Sequence, residues 1–112
     1  MKKNRAESKV RKFLKTQGFT LNKQQDQTQS GVDVVAMKDG IVRLIEVKKA
    51  VLHNRAYQVD PVSKKQSVVC DTIAIVTPHG ILIEPMSQHL QLVGKTGVRY
   101  LTEMVHLMGL VK

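Results

Sequence analysis

The stretch GVDVVAMKDGIVRLIEVK, Gly31 to Lys48, decides the fold. Two runs rich in β-branched residues, Val32 to Lys38 and Ile41 to Lys49, flank Asp39-Gly40, the dipeptide that most readily supplies the positive φ angles of a two-residue type I′ turn. A turn of that length fixes the pairing: Lys38 faces Ile41, and each further pair steps one residue back and one forward. Asp33 therefore faces Glu46, with Cβ atoms about 4.5–5.5 Å apart on one face. Lys48, two residues beyond Glu46, projects from that same face. The remaining residues there, Val35, Met37, Val42 and Leu44, are apolar, so this face is expected to be packed.

Two carboxylates opposed beside a buried surface repel unless a cation sits between them or one takes up a proton. A divalent metal is the natural compensator. Carboxylate oxygens suit hard cations such as Mg²⁺, with Mn²⁺ an acceptable substitute, and such an ion can accept phosphate oxygens in its remaining positions. A lysine beside it can orient or deprotonate an attacking water, or offset charge that builds on the phosphate. These parts suit phosphodiester hydrolysis. The plainer alternative is that Glu46 and Lys48 are exposed residues of an alternating strand and that Asp33 merely caps it after Gly31.

The elements on either side are consistent with a sheet covered by helices. From Asn4 to Gln17 the apolar residues Ala6, Val10, Phe13 and Leu14 form the stripe of an amphipathic helix, which Gly18 ends. Phe19 to Asn22 can start a short strand, and the polar, glutamine-rich stretch Lys23 to Ser30 reads as a mobile loop. Ala50 to Gln58 carries no decisive pattern. Asp60-Pro61 looks like a helix start, followed by a short helix over Val62 to Val69. Thr72 to Thr77 and Ile81 to Glu84 read as buried strands around a Pro78-His79-Gly80 turn. Pro85 to Val93 and Val98 to Leu110 finish the chain, the latter with Leu101, Met104, Val105 and Met108 at helical spacing; a partly exposed stripe there would suit a two-fold homodimer. The order α, β, β, β, α, β, β, α predicts an α/β class, an α+β mixed sheet with helices packed on it, in a single domain spanning 1–112.

Charge proposes a partner. The 112 residues hold 18 Lys and Arg against 9 Asp and Glu, a net +9, which favours a polyanion. Solubility alone is the competing explanation. Four aromatics and no Trp supply few surfaces for stacking single-stranded bases, so duplex or branched DNA is the better fit. Lys9, Arg11 and Lys12 on the first helix, Lys49 and Arg55 after the hairpin, and Lys64 and Lys65 on the second helix are the candidate phosphate contacts; a face of this kind is either solvated or set against phosphate. No apolar run reaches a membrane span and no secretory leader is evident, so a cytoplasmic protein is expected. The lone Cys70 and the scattered His53, His79, His89 and His106 offer no zinc spacing, and Gly94-Lys95-Thr96-Gly97 lacks the spacing of a nucleotide-binding phosphate loop, so no nucleotide cofactor is predicted.

Gly31-Val32-Asp33, followed after a hairpin by Glu46-Val47-Lys48, resembles the signature of the PD-(D/E)XK nuclease superfamily, whose members include Holliday junction resolvases and small phage or restriction-type nucleases. The resemblance covers Asn4 to Thr77 and implies a restriction-endonuclease-like αβββαβ core. It further implies that Asp33 and Glu46 bind the metal with the main-chain carbonyl of Val47, and that Lys48 is the catalytic lysine. Glu7, the acid of the first helix, and Gln66, on the helix after the motif, would complete the site. Glu7 can equally stand on the surface, and Gln66 is not distinguished by spacing from Gln58. Val32 occupies the position of the superfamily's proline.

Two other readings compete with a metal-dependent endodeoxyribonuclease, one acting on branched or junction DNA included. A catalytically inert or partner-dependent module of the same fold would bind DNA or RNA without cutting. A small basic ribosome-associated protein would account for the charge but leave the opposed carboxylates unexplained.

Overall fold

The computed structural model describes residues 5–22 and 31–102. The chain runs through α1 (Arg5–Thr16), β1 (Thr20–Leu21), β2 (Val34–Lys38), β3 (Ile41–Lys49), β4 (Val51–His53), β5 (Ala56–Val59), α2 (Lys64–Val69), β6 (Thr72–Thr77), β7 (Gly80–Pro85), α3 (Met86–Gln91) and β8 (Arg99–Thr102). Five strands form a sheet in the order β1-β2-β3-β6-β7, and β4-β5-β8 form a second sheet. All pairings are antiparallel except β3 with β6, so the central sheet is mixed, as the sequence predicts. Among the described residues no helix is long and apolar enough to cross a membrane.

The hairpin forms in the expected register, Lys38 opposite Ile41 and Val34 opposite Ile45, with Asp39 at φ 55° and Gly40 at φ 79°. Toward the turn the packed face is the opposite of the one expected. Val34, Ala36 and Ile45 are buried with Ala74, Val76 and Ile81 under Val10 and Leu14 of α1, whereas Val35 and Leu44 are half-buried and Met37 and Val42 exposed. Valines occupy both faces of this hairpin, so its alternation alone does not reveal which side α1 will cover.

On the other face Ile73, Ile75 and Leu82 pack against Tyr57, Val59 and Leu101 of the second sheet and Met86 of α3. The segment without a decisive pattern, Ala50 to Gln58, is here the β4-β5 hairpin, turned by Asn54 at φ 62°. The second helix begins later than Asp60-Pro61, because the Ser63 side chain accepts from the Gln66 N–H and supplies the cap. Leu101 lies in β8 rather than in a helix: its backbone pairs with Tyr57, and its side chain is buried among β-branched and aromatic neighbours. The predicted loop Lys23 to Ser30, and Met104, Val105 and Met108 of the predicted stripe, lie outside the described residues.

The two sheets are tied by a buried polar cluster. Arg99 on β8 donates through Nη1 to Glu84 Oε1 on β7, and Nη2 lies 3.5 Å from Oε2. Its Nη1 also lies 3.2 Å from Nδ1 of His89 on α3. Arginine can only donate, so Nδ1 is the acceptor and the histidine proton sits on Nε2. Burial and the guanidinium both hold His89 below its ordinary basicity. Arg99→Met, which leaves Glu84 buried without its cation, is expected to lower stability in urea denaturation by about 3–5 kcal/mol, and the Glu84→Leu/Arg99→Met double variant to recover most of that loss. Equal losses in the single and double variants would show that packing, not charge, ties β7 to β8.

Candidate active site

β3 is an inner strand, and its alternation divides the site from the core. Ile45 and Val47 turn toward α1, while Glu46 and Lys48 project from the other face, in line with Ile73 and Ile75 of β6. Glu46 is 3% exposed, and its Oε1 has no hydrogen-bond partner among the described residues. The Lys48 ammonium stands 3.8 Å from Oε2 and keeps partial access to solvent.

Asp33 reaches this pair through a local irregularity. The paired ladder ends at Val34, and the Asp33 N–H, which a regular ladder would turn away from β3, donates to the carbonyl of Ile45 at 3.1 Å, the residue already opposite Val34. A shift of this kind re-aims the side chain, as a β-bulge does. The Asp33 carboxylate therefore folds over β3, where Oδ2 accepts from the Val47 N–H at 2.9 Å. The preceding Gly31, at φ 86°, gives the chain its turn into this position, and its carbonyl accepts from the Cys70 thiol at 3.2 Å.

The electrostatics follow from this placement. Glu46 is raised from 4.5 to about 8, first by burial and then by the Asp33 carboxylate, which favours the protonated form both by its charge and as a hydrogen-bond acceptor. Lys48 opposes the shift and is outweighed. The Cys70 thiol is pushed up to about 12 by burial and by Glu46, Asp33 and Asp71, which makes it an inert wall of the site rather than a nucleophile.

Asp33, Glu46 and Lys48 thus come together, with the Val47 backbone between them. Glu7 is buried in the first turn of α1, but among the described residues no three His, Cys, Asp or Glu side chains meet in a group able to hold a metal. Gln66 Oε1 accepts from the Ser63 hydroxyl at 3.0 Å, so its carbonyl serves the start of α2. α2 nevertheless backs onto the loop that carries Asp33: a Cβ at Gly31 would lie 3.6 Å from Gln66 Cγ and 3.9 Å from Lys65 Cε. Arg11 is half-buried and committed to Asn22, donating from Nη1 to Oδ1 at 3.1 Å and from Nη2 to the backbone carbonyl. Lys9, Lys12, Lys49, Arg55, Lys64 and Lys65 are exposed.

Sequence reasoning missed Asp71, which accepts from the Leu44 N–H at 3.2 Å and from the Thr72 hydroxyl at 2.6 Å, clamping β3 to the start of β6. Its only sequence signal is an acid placed directly before a buried strand. The Gly94–Gly97 segment is a tight turn leading toward β8, with Gly97 packed on Pro61.

A bacterial homing endonuclease of known structure shares this fold, with a TM-score of 0.72 over 88% of this chain and 70% of that one, at 17% sequence identity. No family model matches the sequence. No curated protein matches it.

The raised Glu46 gives the ion-free protein a pH dependence of definite sign. Its contribution is most favourable below the unfolded value of 4.5 and is lost as pH rises toward about 8, a change on the order of 4 kcal/mol. Glu46→Gln is therefore expected to flatten the fall in stability between pH 5 and 8 and to melt above the wild type at pH 8 in EDTA. A variant that melts lower at pH 8 by as much as at pH 5 would show that the carboxyl is not strained.

Proposed function

We propose that this protein is a divalent-metal-dependent endonuclease that hydrolyses DNA phosphodiester bonds, built on the PD-(D/E)XK plan. The observation that carries the reading is the buried Glu46 set beside the half-buried Asp33, with one glutamate oxygen unpartnered among the described residues and the Lys48 ammonium 3.8 Å from the other. Burying such a pair is costly in the absence of a compensating cation. The donor set fits a hard cation: the carboxylates of Asp33 and Glu46, joined by the Val47 carbonyl, would hold Mg²⁺, and Mn²⁺ takes the same oxygens. When bound, the ion supplies positive charge against the phosphate oxygens and acidifies water.

The chain's own groups do the rest. The Val47 N–H fixes the Asp33 carboxylate in place, and β3 holds Glu46 and Lys48 on one face, so the ligands and the lysine are pre-positioned. Lys48, reachable by solvent, orients the attacking water or offsets charge on the phosphate. Cys70 and Ile73 exclude water from the back of the site. The net charge of +9 and the fold shared with a homing endonuclease support DNA as the substrate.

The test is cleavage of labelled linear duplex, flap and four-way-junction DNA with Mg²⁺, Mn²⁺ or EDTA. Metal-dependent cutting is expected, falling about 10²–10³-fold or more in Lys48→Ala and Asp33→Asn while DNA affinity in EDTA changes little. The substrate cut fastest identifies the preferred DNA structure. Binding without cutting under every metal, or equal cutting by all three proteins, would overturn the reading.

A further inference from the structure

The β6-β7 turn separates two grooves of about 450 Å³ each, and His79 lines both. One groove lies on the α1 side, between Lys9 and Lys12 on its rim and Phe13, Val76 and Ile81 beneath. The other opens on the opposite side of the turn, beside Asn54, Arg55 and Tyr57. Among the described residues no Asp or Glu lines either groove. Among the described residues no ion pair is seen for Lys9, Lys12 or Arg55. Cationic rims over apolar floors are the complement of a sugar-phosphate backbone, whose charged and apolar groups alternate.

The turn itself is built to be rigid. The Thr77 hydroxyl donates to the Gly80 carbonyl at 3.0 Å and accepts from the N–H groups of His79 and Gly80 at 3.1 and 3.2 Å. The His79 ring stands edge-on to Tyr57, at 6.2 Å and 84°. An exposed histidine is thus held at the crest between the two grooves.

The position also matches the acid pair. Glu46 is level with Ile73 on β6, and Val76, in the floor of the first groove, lies three residues further along that strand. At about 3.3 Å per residue this is an offset of roughly 10 Å along the strand, with Glu46 on the face of the sheet away from α1 and Val76 on the face toward it, so that a path from one to the other crosses the sheet at the turn. Lys48 and Lys49 face Ile75 and Val76, at the same end of the β3-β6 pair.

We propose that one DNA strand crosses the β6-β7 turn as over a saddle, its phosphates held by Lys9 and Lys12 on one side, Arg55 on the other and His79 at the crest. The proposal rests on the reading of DNA as the partner and does not require cleavage. It separates Lys9 and Lys12 from Arg11, which clasps Asn22, and from Lys15, which lies outside both grooves.

The experiment is DNA affinity by fluorescence anisotropy in EDTA across a salt series, with full-length protein and a duplex. Lys9→Ser/Lys12→Ser should reduce the salt slope by about 2, and Arg55→Ser by about 1, because each lost phosphate contact retains one counterion. His79→Ala should weaken binding at least threefold at fixed salt, and the exposed control Lys15→Ser should leave the slope unchanged. Slopes that fall equally in the control and the groove variants would mean a diffuse field and overturn the saddle. Tighter binding of duplex RNA with the same sensitivities would overturn the assignment of DNA. The nuclease reading is scored separately: groove variants that lose affinity while wild type cuts nothing leave the saddle standing and remove the enzyme, and unchanged slopes with metal-dependent cutting do the reverse.

Discussion

Strand β3 is hydrogen-bonded on both sides, antiparallel to β2 and parallel to β6, and the site depends on that constraint. An inner strand cannot shift along its axis without breaking two ladders. Its alternation is therefore a fixed instruction: Ile45 goes under α1, and Glu46 goes to the other face at the level of Ile73. Asp71 reinforces the arrangement by pinning the Leu44 backbone just before the acidic residue. Glu46 is held in a buried position that its carboxyl group would not choose, and the raised value of about 8 is the electrostatic record of that confinement.

How far the sequence discloses this arrangement depends on the range of each signal. The hairpin is legible because the Asp39-Gly40 turn is local and permits one register. The helix α1 and the strands β6 and β7 are legible from periodicity and from a density of β-branched residues. Asp33 beside Glu46 is legible only in part. Register arithmetic assumes a regular ladder, and the irregularity at Asp33 is a tertiary feature fixed by the Gly31 turn and the Cys70 contact. The buried face is not legible, since Val34 and Val35 are equally apolar and the choice belongs to α1, some twenty residues away. Leu101 is misread for a related reason: its spacing to Met104 and Met108 suits a helix, but the open edge of β5 offers backbone partners that the spacing does not encode.

The polar clasp of Glu84, Arg99 and His89 is hidden in the same way, because its members come from β7, β8 and α3 and share no spacing. It also shows that burial alone does not mark a functional acid. The sheet register puts Glu84 opposite Ile73, so Glu46 and Glu84 flank one isoleucine on the same face.

These two glutamates therefore form an internal comparison, with similar burial and a shared neighbour. Glu84 has both oxygens within reach of one guanidinium, a planar donor fork that matches a carboxylate. Glu46 has a second carboxylate, one ammonium at 3.8 Å and an oxygen with no donor among the described residues. A fold that can place Arg99 beside one glutamate is not short of means to neutralise the other, since it carries twice as many basic as acidic residues. Leaving Glu46 under-compensated consumes a sizeable part of the stability of a small domain, commonly about 5–15 kcal/mol in total. Local frustration of this kind is expected where a site is completed by something other than the chain, and under the proposed function a divalent cation would supply what Arg99 supplies at Glu84.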